Sequence, residues 1–131
     1  MNTTNALHNL DVFVQDTAVS LVHNLPYMGY VIKYDSKHSF SINKNGVTLY
    51  DDICFMTSAM AIILGIKDSD RSYIKSLLAH ERKFMKHYNN MLFYRNSENW
   101  NLYDQSKIDA VEALWDIKRL SSLKINKIDK Y

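Results

Sequence analysis

The chain has 131 residues, 47% hydrophobic and 23% charged, which suits one domain with its own core and excludes a chain that stays unfolded. Its formal charge of +2 excludes a whole-molecule field for nucleic acid or membrane, so such a partner must be drawn by a local patch. The single cysteine, Cys54, excludes an internal disulfide and fits a reducing compartment.

Residues 4–24 are predicted to form a first helix. Leu7, Leu10, Val14, Thr17, Ala18, Leu21 and Leu25 follow three-and-four spacing, with Asp11 and Asp16 off that stripe. Pro26 is expected to end the element, because the residue before a proline is pushed out of helix geometry. The first residues carry no basic start and apolar run, so no secretion signal is expected.

Next comes alternation with period two, read as a three-stranded antiparallel meander at 28–34, 38–43 and 47–50. Asp35-Ser36-Lys37 forms its first turn and Asn45-Gly46, the strongest short hairpin signal, its second. One face of the sheet must lie on helices, since a bare hairpin is marginal in water. Tyr27, Tyr30, Tyr34 and Tyr50 gather here, where they close the rim of the core or, on an open face, stack bases or anchor a partner.

Residues 52–66 form a helix that is apolar all the way round, and so central and buried. Asp51 or Thr48 is expected to cap its start and Gly65 its end. Cys54 packs inside it as a small hydrophobe. The longest uncharged run, 53–66, has 14 residues against the roughly 20 of a membrane span. A soluble intracellular protein without a membrane partner is therefore expected.

Asp68 or Ser69 caps an amphipathic helix over 69–94, with Ile74, Leu77, Leu78, Phe84, Met85, Tyr88 and Leu92 inward. Residues 91–103 could alternatively make a small hairpin around Asn96-Ser97-Glu98-Asn99. A last helix over 104–120 turns Ile108, Val111, Leu114 and Trp115 inward. The ends, 1–3 and 121–131, are expected to fray, and the whole chain is one domain, 1–131.

Glu81 is the sharpest anomaly, for it projects from the middle of the apolar face between Leu77, Leu78, Met85 and Tyr88. A buried carboxylate must be paired or protonated. One reading is an acid or base with a raised pKa; the other is a buried hydrogen bond that fixes helix register. No nucleophile or second acid is visible beside it. His80-Glu81-Arg82-Lys83-Phe84 begins like the zinc-protease helix, but Phe84 stands where the second histidine belongs. His87 shares a flank with His80 two turns away, too far to grip one ion with it. No glycine-rich phosphate loop or nucleophile elbow occurs, so no catalytic residue, metal or cofactor is assigned.

The second distinctive feature is basic. Arg71, Lys75, Arg82 and Lys86 fall within about 60° of one another beside the apolar face. Such a row could bind the phosphates of a nucleic acid; the alternative is a solvated edge whose lysine stems cover apolar neighbours. The stripe of the first helix could likewise form a seam with a second copy or cover the sheet.

The run Ile42-Asn43-Lys44-Asn45-Gly46-Val47-Thr48-Leu49-Tyr50-Asp51-Asp52-Ile53, with Ser58-Ala59-Met60-Ala61-Ile62, Leu78-Ala79-His80-Glu81, Lys86-His87-Tyr88-Asn89-Asn90-Met91 and Phe93-Tyr94-Arg95, resembles small uncharacterised proteins of tailed bacteriophages with A+T-rich genomes. The resemblance covers about residues 30–120 and implies a viral protein in the host cytoplasm or the virion. It assigns no site.

The combined reading is an α+β domain: N-terminal helix, three-stranded antiparallel meander, then three helices packed on the sheet. The function expected is non-enzymatic protein–protein interaction, virion-associated or self-associating. The alternative is a small nucleic-acid-binding regulator using the basic stripe on 69–94, and a third reading is a hydrolase or transferase around Glu81.

Overall fold

The computed structural model describes residues 24–36 and 38–128. The sheet comprises β1 (Asn24–Tyr27), β2 (Tyr30–Ser36), β3 (Ser39–Lys44) and β4 (Val47–Ile53). Three helices follow: α1 (Met56–Lys67), α2 (Arg71–Asn96) and α3 (Trp100–Ile128). The class is α+β, with an antiparallel sheet in chain order and helices packed on it. No helix among the described residues is long and apolar enough to cross a membrane.

The sheet has one strand more than the alternation predicts. β1 pairs with β2 so that Leu25 faces Ile32 and Pro26 faces Val31. Met28 (φ 51) and Gly29 (φ 89) make the turn between them, two left-handed residues in a row as a tight hairpin needs. β1 is an edge strand, the place where a proline without an N–H does least harm. Asn24 and Leu25, read above as the end of a helix, are therefore strand; the rest of that predicted helix lies outside the described residues. The Asn45-Gly46 turn forms as expected, with φ 53 and φ 78.

β4 overruns its predicted end and reaches Ile53, which pairs with Phe40. Asp51 and Asp52 together oppose Ser41, a bulge, and Asp52 takes the left-handed conformation (φ 53) that short polar side chains tolerate. Cys54 thus lies at the strand–helix junction rather than inside the helix. Phe55 is the N-cap residue of α1 and no side chain caps it. Thr48, a proposed cap, instead donates its hydroxyl to Asn43 Oδ1 at 2.6 Å.

α1 is central, as its all-round apolar pattern requires. It touches β2, β3 and β4 on one side and both α2 and α3 on the other. Ala59, Ala61, Ile62 and Ile63 are fully buried in it. Gly65 is not its terminator: the helix runs on to Lys67, and a Cβ at Gly65 would sit 2.9 Å from Ile74 Cγ1. The glycine serves the close approach of α2, and Ser69 (φ 54) takes the left-handed turn. The Asp70 carboxylate accepts the Tyr73 N–H at 3.3 Å and caps α2, in place of the predicted Asp68 or Ser69.

α2 continues as helix to Asn96, so the hairpin alternative for 91–103 does not form. α3 starts four residues earlier than predicted and runs to Ile128, so residues 121–128 are not frayed. The ties are visible. Lys124 Nζ bonds Asp68 at 2.9 Å and Asp70 at 3.0 Å, and the Tyr73 hydroxyl donates to the Leu120 carbonyl. Val111 and Leu114 turn inward with Ala110, Ala113 and Ile117. Ile108 and Trp115 do not: they are 39% and 37% exposed.

Candidate functional site

Glu81 stands on the inner face of α2, 1% exposed. The helix period places it among Leu77, Phe84 and their neighbours, and packing against the strand–helix junction seals it. Its Oε2 accepts the backbone N–H of Cys54 at 2.8 Å. The Cys54 thiol lies 3.5 Å from the Glu81 backbone carbonyl, to which it donates. Glu81 Oε1 and the Ser58 hydroxyl are both buried and make no hydrogen bond among the described residues. Burial pushes the Glu81 carboxyl well above the ordinary carboxylate range, and interactions with Cys54 and Ser58 oppose this only in part. Burial, with Glu81 beside it, also drives the Cys54 thiol far up, so it is no nucleophile.

A cleft of about 370 Å³ opens beside this junction, lined by His38, Ser39, Asp52, Glu81, Arg82 and Met85. Glu81 lines this cleft, but its free carboxyl oxygen is closed off from solvent. The geometry matches the register-fixing reading: one carboxyl joins the start of α1 to the middle of α2.

The histidines of α2 meet acids of α3. His80 lies 3.8 Å from Asp116 and His87 lies 3.9 Å from Asp109, two loose pairs one heptad apart across an antiparallel hairpin. Among the described residues no group of three or more His, Cys, Asp or Glu is placed to hold a metal ion.

Arg71, Lys75, Arg82 and Lys86 come together as predicted, all exposed on the outer face of α2. None forms an ion pair among the described residues. Phe93, 66% exposed, continues the same row toward the helix end. Across the turn Trp100 is 55% exposed and packs edge-on against Tyr103, their ring centres 5.6 Å apart.

The outer face of α3 is the surface the sequence reading misses. Ile108, Glu112, Trp115, Arg119 and Leu123 are all exposed along it. The signal lay in the alanines. Once Ala110 and Ala113 are counted as core, the inward direction of α3 swings away from Ile108 and Trp115.

Comparison with family models, with curated proteins and with solved structures found no match. The functional reading therefore rests on the geometry just described.

Proposed function

We propose that the chain is a non-enzymatic interaction protein that works as a pair of copies joined through the outer face of α3. The observation that carries this reading is the row Ile108, Glu112, Trp115, Arg119 and Leu123. At about 100° per residue these five side chains share about 80° of helix surface. Ile108, Trp115 and Leu123 are 39%, 37% and 60% exposed. Three large apolar groups in one row differ from apolar residues scattered singly over a surface.

The row is complementary to itself. An antiparallel copy turned about an axis at Trp115 sets Ile108 of each against Leu123 of the other. The same turn sets Glu112 against Arg119 twice and leaves the two Trp115 rings at the centre. A parallel copy would oppose Glu112 to Glu112 and Arg119 to Arg119, like charge to like. Two-fold, isologous contacts are the commonest form of self-association, and tryptophan and arginine are common anchors at the centre of interfaces. A contact made by one helix is small by interface standards, so the pair is expected to form at micromolar concentrations.

The closing off of the free carboxyl oxygen of Glu81 from solvent supports a non-enzymatic role. The resemblance to small proteins of tailed phages supports a place in an infected bacterial cell, in the host cytoplasm or in the virion. Sedimentation equilibrium across a hundredfold range of concentration tests the pairing. A monomer–dimer equilibrium is expected; Trp115→Glu should abolish it. Glu112→Arg should weaken it, and Arg119→Glu added in the same chain should restore it. A wild-type chain that stays monomeric throughout would overturn the proposal.

A further inference from the structure

The outer face of α2 is used neither by the core nor by the proposed pairing. Its character follows from a simple inventory. The helix carries six cations, Arg71, Lys75, Arg82, Lys83, Lys86 and Arg95, and one acid, Glu81. That acid is buried and held toward its neutral form. The acid ahead of the helix, Asp70, is engaged with the Tyr73 N–H and with Lys124. The outer face therefore shows positive charge without an exposed carboxylate of its own. Asp52 of β4 lines the same cleft as Arg82, and the two make no ion pair among the described residues; Asp109 and Asp116 of α3 face His87 and His80.

Four of these cations form one row. From Arg71 to Lys86 it spans about 22 Å, and Phe93 extends it. A cationic track that ends in an exposed aromatic ring has the chemistry of a single-stranded nucleic acid site: phosphates along the track, an unstacked base on the ring. A membrane surface fits less well. A helix that lies on lipid presents its apolar face to it, and the apolar face of α2 is spent on α1 and α3. Beside the outer row stand Ser72, Ser76 and Ala79, and Phe93 is the one large exposed apolar side chain of α2, which leaves little for lipid to bury.

We infer that the outer face of α2 binds single-stranded nucleic acid, with Arg71, Lys75, Arg82 and Lys86 on the phosphates and Phe93 stacked on a base. The site goes beyond the self-association proposed above and does not require it. The row neutralises four phosphates, so the logarithm of affinity should fall against the logarithm of salt with a slope of about −3.

Fluorescence anisotropy of a labelled oligothymidylate, titrated with the full chain at several salt concentrations, tests this. Binding at low salt with that slope is expected. Arg82→Glu with Lys86→Glu should abolish it, and circular dichroism should show an unchanged fold because both side chains are exposed. Phe93→Ala should weaken binding about fivefold or more while leaving the salt slope unchanged. Trp115→Glu should leave binding to one chain intact, which separates this site from the pairing surface. No binding at low salt would overturn the inference. So would binding that ignores the charge reversal, equal affinity for duplex with no effect of Phe93→Ala, or capture by anionic vesicles but not by the oligonucleotide.

Discussion

The outer faces of α2 and α3 lie on one helical hairpin and differ in kind. α2 shows solvent a row of cations with no exposed acid among them. α3 shows alternating apolar and charged groups whose signs balance. The inner faces of the two helices are alike, built from residues that meet α1. What distinguishes the two outer surfaces is thus not the fold but the residues the fold leaves over. Under the two proposals, the cationic row serves an anionic partner and the balanced apolar row a copy of itself.

That comparison depends on the hairpin being a rigid support, and the largest expected effect comes from breaking it. Phe84 is 1% exposed, stacked on Tyr88 at 5.7 Å between ring centres and tilted against Phe55 at 5.1 Å. Phe84→Ala should cost about 3–5 kcal/mol of unfolding free energy in a urea titration. It should disable both surfaces together.

Glu81 gives a smaller effect that depends on pH. Glu81→Ala leaves the Cys54 N–H buried without its acceptor, at a cost of about 1–3 kcal/mol. In the wild type the folded carboxyl holds its proton to higher pH than the unfolded one. Stability from this group is therefore full below the ordinary carboxylate range and declines as pH rises through the raised folded value. Glu81→Gln removes the titration, and its urea midpoint should lose that decline. An undiminished decline would assign the pH dependence to other groups.

Lys124 sharpens the comparison from the far end of α3. Burial works against its charge, and hydrogen bonds with Asp68 and Asp70 outweigh that and raise its pKa. Both acids are substantially exposed, at 53% and 42% of their side chains, so solvent screens the pairs. Lys124→Met should cost about 1 kcal/mol in thermal unfolding. Hydrogen exchange should quicken in the last turns of α3, next to Leu123, before it changes around Trp115.

Much of this layout is legible in the residues. The Asn45-Gly46 hairpin, the central position of an all-apolar helix and the burial of Glu81 each follow from local pattern, because turn chemistry and periodicity act over a few residues. The gathering of Arg71, Lys75, Arg82 and Lys86 follows from the helix period alone. Three features depend on tertiary contacts and were not legible. Pro26 reads as a helix stop but sits on an edge strand, because β2 offered a partner. Gly65 reads as a terminator but serves the approach of Ile74. Large side chains point to the wrong inward face of α3, because Ala110 and Ala113 fill the core there and leave the row around Trp115 outside.

The most direct test of the pairing is sedimentation equilibrium of the wild-type chain and of Trp115→Glu side by side. Trp115 is outside the core but only 37% exposed, so the variant should lose about 1–2 kcal/mol with the ring's covered surface and remain folded, as circular dichroism will check. The account predicts a concentration-dependent dimer for the wild type and a monomer for the variant. Identical mass averages for the two chains, whether both monomeric or both dimeric, would contradict it.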